Sequence, residues 1–129
     1  MSERHRRGMT AFRVLVVEDD SMIGPLLAET LVGLGYEVCG VETTEAGAVS
    51  AAGRHRPDLM IVDVNLAGGS GLAATACIAR VAPVPHLFMS GHTRQADMPG
   101  EILLTKPFRV ADLAQAIGRA LATTALPAA

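Results

Sequence analysis

The chain has 129 residues, half of them hydrophobic, and a formal net charge of −2. This length fits one domain with a substantial core, and the composition excludes a chain that is disordered throughout. With one tyrosine, three phenylalanines and no tryptophan, the chain has too few rings for an aromatic platform that stacks single-stranded nucleic acid.

The charge is unevenly distributed along the chain. Residues 1–13 hold four arginines and one glutamate, whereas the remainder has 7 basic and 12 acidic residues. We predict a flexible basic tail over residues 1–11 and an acidic body, which argues against a nucleic-acid partner. No apolar run reaches the length of a membrane span, and the N-terminus lacks the apolar middle of a secretion signal. We therefore expect a cytoplasmic protein without a membrane partner.

Short apolar runs alternate with segments of helical period. Unbroken runs predict buried strands at residues 14–17, 59–62, 87–89 and 102–104, and a weaker run predicts an edge strand at 36–41. Cys39 and Cys77 lie singly in apolar segments without metal or redox spacing, so both are interpreted as buried reduced thiols.

Five βα units are expected, and four of their helices have a clear signal in the sequence. The first has its apolar stripe over residues 23–34 and ends at Gly35, and the last carries the same stripe over 113–121. Ala-rich helices are predicted at 44–54 and 70–81, with Thr44 and Ser70 as N-caps. The alternation of strands and helices implies a parallel sheet with helices on both faces. We expect one α/β domain over residues 12–122 and a short tail over 123–129.

Polar side chains follow four of the predicted strands. In such sheets, ligands bind beyond the carboxyl ends of the strands. Clustered carboxylates repel one another unless a cation lies among them, and oxygen ligands suit Mg²⁺. Taken singly, each acid could be a solvated loop residue or a helix cap, and Asp20 in particular could cap the first helix. The candidate site residues are Glu18, Asp19, Asp20, Asp63, Ser90 and Lys106.

A metal ion, a lysine and a hydroxyl around one carboxylate form a suitable receptor for a phosphoryl group. Lys106 is the one lysine beside ten arginines, which suggests a site that needs a compact point charge. In this hypothesis Asp63 is the nucleophile, Mg²⁺ and Lys106 neutralise phosphoryl oxygens, and Ser90 donates a hydrogen bond. The competing hypothesis is a binding module of the same fold whose site is vestigial or only holds a metal.

These motifs resemble the receiver domain of two-component response regulators over roughly residues 12–121. Residues 16–20 are similar to the acidic end of the family's first strand, and Asp63 follows Asp19 by 44 residues. Residues 63–66 followed by Gly71 resemble the phosphoacceptor stretch. Ser90 takes the place of the family's Ser/Thr, and residues 106–108 reproduce its Lys-Pro-Phe.

The resemblance implies a flavodoxin-like fold, in which five parallel strands are doubly wound in the order 2-1-3-4-5. It implies Mg²⁺ held by Asp19, Asp63 and the backbone carbonyl of Asn65, with Glu18 acting through water. A sensor histidine kinase or a histidine phosphotransfer protein would donate the phosphoryl group to Asp63. The protein would then be a signalling protein that assists its own phosphotransfer and autodephosphorylation, not a classical enzyme. Asp20 and His92 are candidate modulators.

Three features depart from the family pattern. Ala67 replaces a common proline, and Leu103 stands where many receivers carry Tyr or Phe. The interval of 16 residues from Ser90 to Lys106 is short, so we expect a short or irregular fourth helix. Residues 88–92 are similar to the Phe-Ala-Thr-Gly signature of single-domain receivers from alphaproteobacteria. We expect a stand-alone receiver that signals by protein contact to an unknown target. The alternative is an adaptor or phosphate sink whose binding does not depend on phosphorylation.

Overall fold

The computed structural model describes residues 12–125. The predicted basic tail at residues 1–11, and residues 126–129 of the predicted C-terminal tail, lie outside the described residues. The helices and strands of the described residues form one α/β domain, as the sequence predicts. Within the described part of the chain, no helix combines the length and apolarity needed to cross a membrane.

A parallel sheet of five strands forms the centre of the domain. Its strands are β1 (Arg13–Val17), β2 (Glu37–Glu42), β3 (Leu59–Asp63), β6 (His86–Ser90) and β7 (Leu103–Thr105). A separate antiparallel hairpin consists of β4 (Asn65–Leu66) and β5 (Gly69–Ser70). The order in the main sheet is β2-β1-β3-β6-β7, and every neighbouring pair is parallel. This order confirms the predicted flavodoxin-like arrangement 2-1-3-4-5, counted without the hairpin strands.

Four α-helices cover the two faces of the sheet. They are α1 (Ile23–Gly33), α2 (Glu45–His55), α3 (Gly71–Ala79) and α4 (Val110–Ala125). The third ends two residues before the predicted limit at 81, and α4 continues three residues beyond the predicted boundary at 122. Between β6 and β7 there is a 3₁₀-helix at Gln95–Asp97 in place of an α-helix, as the short interval predicted.

Side-chain and backbone caps set the helix ends. Thr44 Oγ1 accepts a hydrogen bond from the Gly47 N–H at 3.0 Å, and Ser70 Oγ accepts one from the Ala73 N–H at 2.9 Å. Both predicted N-caps are therefore confirmed. After α1, Gly35 has a φ of 98°, a left-handed conformation that glycine adopts without steric cost. The helix thus ends where the glycine predicted.

The sheet divides the core into two layers. Successive strand residues point to opposite faces, so Val14 and Val16 pack with α1 and α4, whereas Leu15 and Val17 pack with α2 and α3. Leucines and isoleucines dominate the first layer. In the second layer the helices contribute mainly alanines, which let α2 and α3 lie close to the sheet.

One prediction about the core is wrong. Cys77 is exposed on α3, because the helical period turns Ala74 and Ile78 inward and position 77 outward. Cys39 is half-buried and its thiol donates to the Val14 carbonyl at 3.4 Å. Both cysteines are free.

The side chain of Gln95 makes several contacts within the segment between β6 and β7. Gln95 Nε2 donates to the carbonyl oxygens of Met98 and Glu101, at 3.2 and 2.6 Å. Its Oε1 accepts from the Leu103 N–H at 3.2 Å. Met98 is buried beneath this turn. The segment is therefore held by polar and backbone contacts and one apolar side chain, Met98, instead of an apolar helix face.

Gly71 is the position where the fold tolerates a side chain least. A Cβ there would lie 2.7 Å from Val62 Cγ1 and closer still to the Asp63 carbonyl oxygen. Gly71→Ala should lower the free energy of unfolding by about 1–3 kcal/mol, because α3 would be forced away from β3. The measurement is urea unfolding followed by far-UV circular dichroism.

Gly53→Ala is the matched control. Gly53 lies inside α2 with no atom within 4 Å of its Cβ position, so alanine should stabilise the helix by about 0.5–1 kcal/mol. Equal effects of the two substitutions would contradict the steric explanation.

Candidate functional site

Three acidic side chains meet at the carboxyl edge of the sheet. Glu18 and Asp19 follow β1, and Asp63 is the last residue of the adjacent β3. One carboxylate oxygen from each residue lies within 4.8 Å of the other two. The topology therefore brings together the acids that the sequence placed at one edge. Glu18 and Asp63 are buried, and Asp19 is more exposed than either.

Lys106 lies at the same carboxyl edge of the sheet and contacts this cluster. It follows β7, which is separated from β3 by β6. Its Nζ donates to Glu18 Oε1 at 2.6 Å and to Asp63 Oδ2 at 2.8 Å. Its backbone N–H donates to the Ser90 carbonyl at 2.9 Å, which fixes the start of the side chain at the end of β6. The peptide bond between Lys106 and Pro107 is cis.

Burial and charge shift the proton affinities of this group. Burial, together with the hydrogen bond shared with Asp63, raises the pKa of Glu18 to about 7 against the opposing effect of Lys106. Burial lowers the pKa of Lys106, but its hydrogen bonds and charge interactions with Asp63 and Glu18 outweigh that effect and raise it. Lys106 is thus a permanent ammonium at neutral pH.

The Asp63 carboxylate is held at both oxygens. Oδ2 accepts from Lys106, and Oδ1 accepts from the backbone N–H of Asn65 at 3.1 Å. Gly71 lies against the carbonyl of the same aspartate, and its N–H donates to the Val64 carbonyl at 2.9 Å. The carboxylate is consequently presented in one orientation at the end of the strand.

Asp20 is not part of the cluster formed by Glu18, Asp19 and Asp63. It is exposed, and its Oδ1 accepts hydrogen bonds from the N–H groups of Met22 and Ile23, at 2.8 and 3.0 Å. These bonds lower the pKa of its carboxyl group. Its own N–H donates to Glu18 Oε2 at 3.1 Å. Asp20 thus accepts from N–H groups just before and at the start of α1, although the N-cap of that helix is Met22, and Asp20 also helps to hold Glu18.

Ser90 is fully buried at the end of β6. Its Oγ accepts hydrogen bonds from the backbone N–H groups of His92 and Thr93, at 3.0 and 2.9 Å. A hydroxyl has one hydrogen to donate besides its acceptor lone pairs, so the donor remains for another group. The side chain of His92 is exposed.

Glu45 is a residue of this edge that sequence reasoning missed. It lies in the first turn of α2, and its Oε1 accepts from the Ser70 N–H at 3.1 Å. This bond ties α2 to the hairpin that follows Asp63. An acidic residue in a first helical turn is common because it interacts with the helix dipole, so the sequence carried no sign of a contact across 25 residues.

The chemistry of the donor set suits a hard divalent cation. The cluster offers carboxylate oxygens, and its three carboxyl groups outnumber the single ammonium. Oxygen ligands with partial exposure to water fit Mg²⁺. Glu18, Asp19 and Asp63 can therefore hold such an ion.

The sequence profile of the family described as response regulator receiver domain matches residues 14–118. Among curated proteins, the transcriptional regulatory protein PdtaR of Mycobacterium tuberculosis is 38% identical over 111 residues, covering 81% of this chain and 54% of PdtaR. The phyllosphere-induced regulator PhyR of Methylorubrum extorquens is 34% identical over 118 residues, covering 86% of this chain and 44% of PhyR. The chain spans about half the length of these relatives.

Solved structures of related regulators are also similar to this chain. The receiver domain of PhyR from Erythrobacter litoralis superposes with a TM-score of 0.83 at 30% identity, covering 94% of this chain and 98% of that domain. PhyR from Brucella abortus superposes with a TM-score of 0.80 at 28% identity, covering 88% of this chain and 49% of that protein.

Removing one carboxylate should show whether the acidic cluster binds Mg²⁺. Millimolar Mg²⁺ should raise the melting temperature of the wild type, because the ion relieves repulsion in the folded state. Asp19→Asn should lose most of this gain and melt higher than the wild type without metal. Glu29→Gln, on the exposed side of α1, is the control. Differential scanning fluorimetry measures all three, and an unchanged Mg²⁺ gain in Asp19→Asn would show that the ion binds elsewhere.

Proposed function

The chain belongs to the response regulator receiver domain family, a family of signalling proteins, and from this premise we propose that Asp63 accepts a phosphoryl group. The proposed donor is a phosphorylated histidine of a sensor histidine kinase or a histidine phosphotransfer protein. The observation that carries the proposal is the shared ammonium: Lys106 Nζ contacts Asp63 and Glu18 within the buried acidic cluster.

The transfer is a nucleophilic displacement at phosphorus. A carboxylate oxygen of Asp63 forms the new O–P bond while the P–N bond to the donor imidazole breaks, and its electron pair leaves with the imidazole nitrogen. The product is an acyl phosphate, and no oxidant or reductant is required. Catalysis of such a step consists mainly of positioning and charge neutralisation. Lys106 and the Asn65 N–H, which hold the two Asp63 oxygens, supply the positioning.

Two positive charges would meet the incoming group. The residues proposed to hold Mg²⁺ are Asp19, Asp63 and the backbone carbonyl of Asn65, with Glu18 through water. When bound, the ion would neutralise phosphoryl oxygens and orient them. Lys106 would contact a phosphoryl oxygen from its position beside Glu18, whose Oε1 lies 2.6 Å from Nζ.

Ser90 connects the phosphoryl group to the segment after β6. The hydroxyl hydrogen of Ser90 would donate to a phosphoryl oxygen while Ser90 Oγ accepts from the N–H groups of His92 and Thr93, so the phosphoryl group would be linked directly to the backbone of this segment. In the following turn, the Gln95 amide contacts the backbone and Met98 is buried. Phosphorylation would then change the surface of this segment through Ser90 and without an aromatic rotor, since Leu103 occupies that position. Signalling by protein contact follows from such a change in surface.

An apolar surface beside Lys106 supports docking of the phosphodonor. A groove of 480 Å³ opens between α1 and the start of α4, with Lys106 at its edge. Leu26 is 64% and Val110 52% exposed on its sides, and Met22 is 78% exposed next to it. A partner that covers these side chains would bring its histidine to the edge that carries Asp63.

The proposed output is contact with a protein in the cytoplasm, with neither nucleic acid nor membrane as partner. The acidic balance of the chain disfavours phosphate backbones. PhyR from Bartonella quintana, a structural neighbour with a TM-score of 0.80 at 26% identity, is an anti-anti-sigma factor. A protein target for this chain is consistent with that example.

Acetyl phosphate with Mg²⁺ tests the phosphoacceptor. Intact mass spectrometry should show a species heavier by about 80 Da, the mass of one phosphoryl group. Asp63→Asn should abolish this species, because an amide is not a nucleophile of this kind. Asp97→Asn, on the exposed 3₁₀-helix, should behave as the wild type. Labelling of Asp63→Asn at the wild-type rate would refute the assignment.

Lys106→Arg tests whether the ammonium acts as a compact charge. The side chain is 19% exposed and its Nζ lies between two carboxylate oxygens, so the larger planar guanidinium cannot take the same position. Phosphorylation by acetyl phosphate should slow at least about tenfold, equivalent to about 1.4 kcal/mol. The control is Arg109→Lys, an exposed exchange of the same two residue types. An unchanged rate in Lys106→Arg would mean that any cation suffices.

A further inference from the structure

The short hairpin after Asp63 carries one of the residues proposed to hold Mg²⁺. Its strands β4 and β5 pair Asn65 with Ser70 and Leu66 with Gly69. The Asn65 N–H donates to Asp63 Oδ1 at 3.1 Å, so β4 is tied directly to the acidic cluster. Any movement of β4 would therefore change where the Asn65 carbonyl lies relative to the carboxylates.

The two strands of this hairpin differ in how they are anchored. Leu66 is buried in the core and anchors β4, whereas β5 consists of a glycine and a serine and has no apolar side chain. The turn between them, Ala67 and Gly68, is exposed. Glycine loses more conformational entropy on ordering than other residues, and a proline at position 67 would have restricted the backbone. A contact from outside the hairpin therefore contributes strongly to the position of β5.

Helix α2 supplies such a contact. Glu45 is the first residue of this helix, and the N-cap Thr44 fixes its first turn. Glu45 Oε1 accepts from the Ser70 N–H at 3.1 Å, although the two residues are 25 positions apart in the chain. The pairing partner Asn65 donates to Asp63 instead, so the hairpin is held between a carboxylate of the site and a carboxylate of α2.

The glycine at position 69 is a second sign of this contact. A Cβ there would lie 2.8 Å from the Glu45 Cβ and closer still to Glu45 Oε1. Gly69 is not among the described glycines with a positive φ, so its backbone conformation does not require glycine. The missing side chain instead makes room for Glu45, which lies against β5.

We propose that Glu45 is a positioning residue for the Mg²⁺ site. By holding Ser70 it keeps β5, and through the pairing with β5 it keeps the Asn65 carbonyl where the ion would take it as a ligand. The inference rests on the proposed function, in which that carbonyl is a ligand. Glu45 is itself outside the cluster of possible ligands. Residues that orient metal ligands change the affinity for the metal without touching it.

Three substitutions separate the hydrogen bond of Glu45 from its charge. Glu45→Gln removes the charge but keeps an acceptor oxygen at the same reach, whereas Glu45→Asp keeps the charge but withdraws the acceptor from Ser70. Glu45→Ala removes both. Isothermal titration of the full chain with Mg²⁺ should give a Kd about tenfold higher for the Asp and Ala variants, and close to that of the wild type for Glu45→Gln. A Gln variant as weak as Glu45→Ala would mean that charge acts, and would overturn the proposal.

Hydrogen exchange without metal reports the contact itself. The Ser70 amide should exchange faster in Glu45→Asp and Glu45→Ala than in the wild type, and remain protected in Glu45→Gln. Ala51→Gly is the control for stability, because it weakens the same helix away from the hairpin. It should lower the free energy of unfolding and leave the Kd for Mg²⁺ unchanged. Affinities that follow the free energy of unfolding instead of the Ser70 exchange rate would overturn the proposal.

Gly69→Ala tests the same contact from the side of the hairpin. Its methyl group would displace the Glu45 carboxylate, so the Kd for Mg²⁺ should rise as it does in Glu45→Ala. Glu29→Ala, which removes an exposed carboxylate of α1, should bind Mg²⁺ like the wild type. Wild-type affinity in Gly69→Ala would contradict the positioning role.

The wild type and Asp19→Asn separate this inference from the proposed function. Mg²⁺ binding that the wild type shows and Asp19→Asn loses establishes the metal site. If Glu45→Ala then binds Mg²⁺ as tightly as the wild type, only the role of Glu45 is overturned. A wild type that binds no Mg²⁺ would contradict the metal site itself, and this inference with it.

Discussion

The carboxyl edge of this sheet depends on one ammonium shared by two buried carboxylates. Glu18 and Asp63 are almost without contact to water, and each would be costly to ionise alone. Lys106 contacts both, at 2.6 and 2.8 Å, and so connects the ends of β1, β3 and β7 in one charge cluster. A third carboxylate, Asp19, leaves the cluster negative in total, and this excess is what makes a divalent cation a favourable addition.

Around this cluster, uncharged backbone groups hold Asp63 and the elements next to it in place. The Asn65 N–H holds one Asp63 oxygen, and the absence of a side chain at Gly71 lets α3 begin directly against the Asp63 carbonyl. Glu45 secures the hairpin between them through the Ser70 N–H. The helices on one side of the sheet are thereby fixed at the candidate phosphorylation site, and any displacement of that loop must move their first turns.

The two faces of the sheet differ in chemistry. The α1/α4 layer is built of large aliphatic side chains and leaves an apolar groove beside Lys106. In the α2/α3 layer the helices contribute mainly alanines, and a groove lined by apolar residues and Arg56 opens on that side. Family membership accounts for the common fold and the acidic edge.

The sequence by itself determined the sheet and the residues at its edge. Unbroken apolar runs mark strands that are buried on both faces, and parallel strands end at the same edge, so Glu18, Asp19, Asp63, Ser90 and Lys106 had to follow strand ends there. Thr44, Ser70 and Gly35 marked helix ends because capping is a local interaction.

Only the tertiary structure decided which of those side chains touch. Lys106 could have paired with either acid or neither, and its contacts join residues 88 and 43 positions apart in the chain. The sequence also could not indicate that Ser90 Oγ accepts two hydrogen bonds, or that the Ser70 N–H donates to Glu45. Nor could it show that Cys77 points outward. Periodicity and caps report the backbone over one or two helical turns, whereas these contacts depend on how the layers pack and on which rotamer each side chain then has room to adopt.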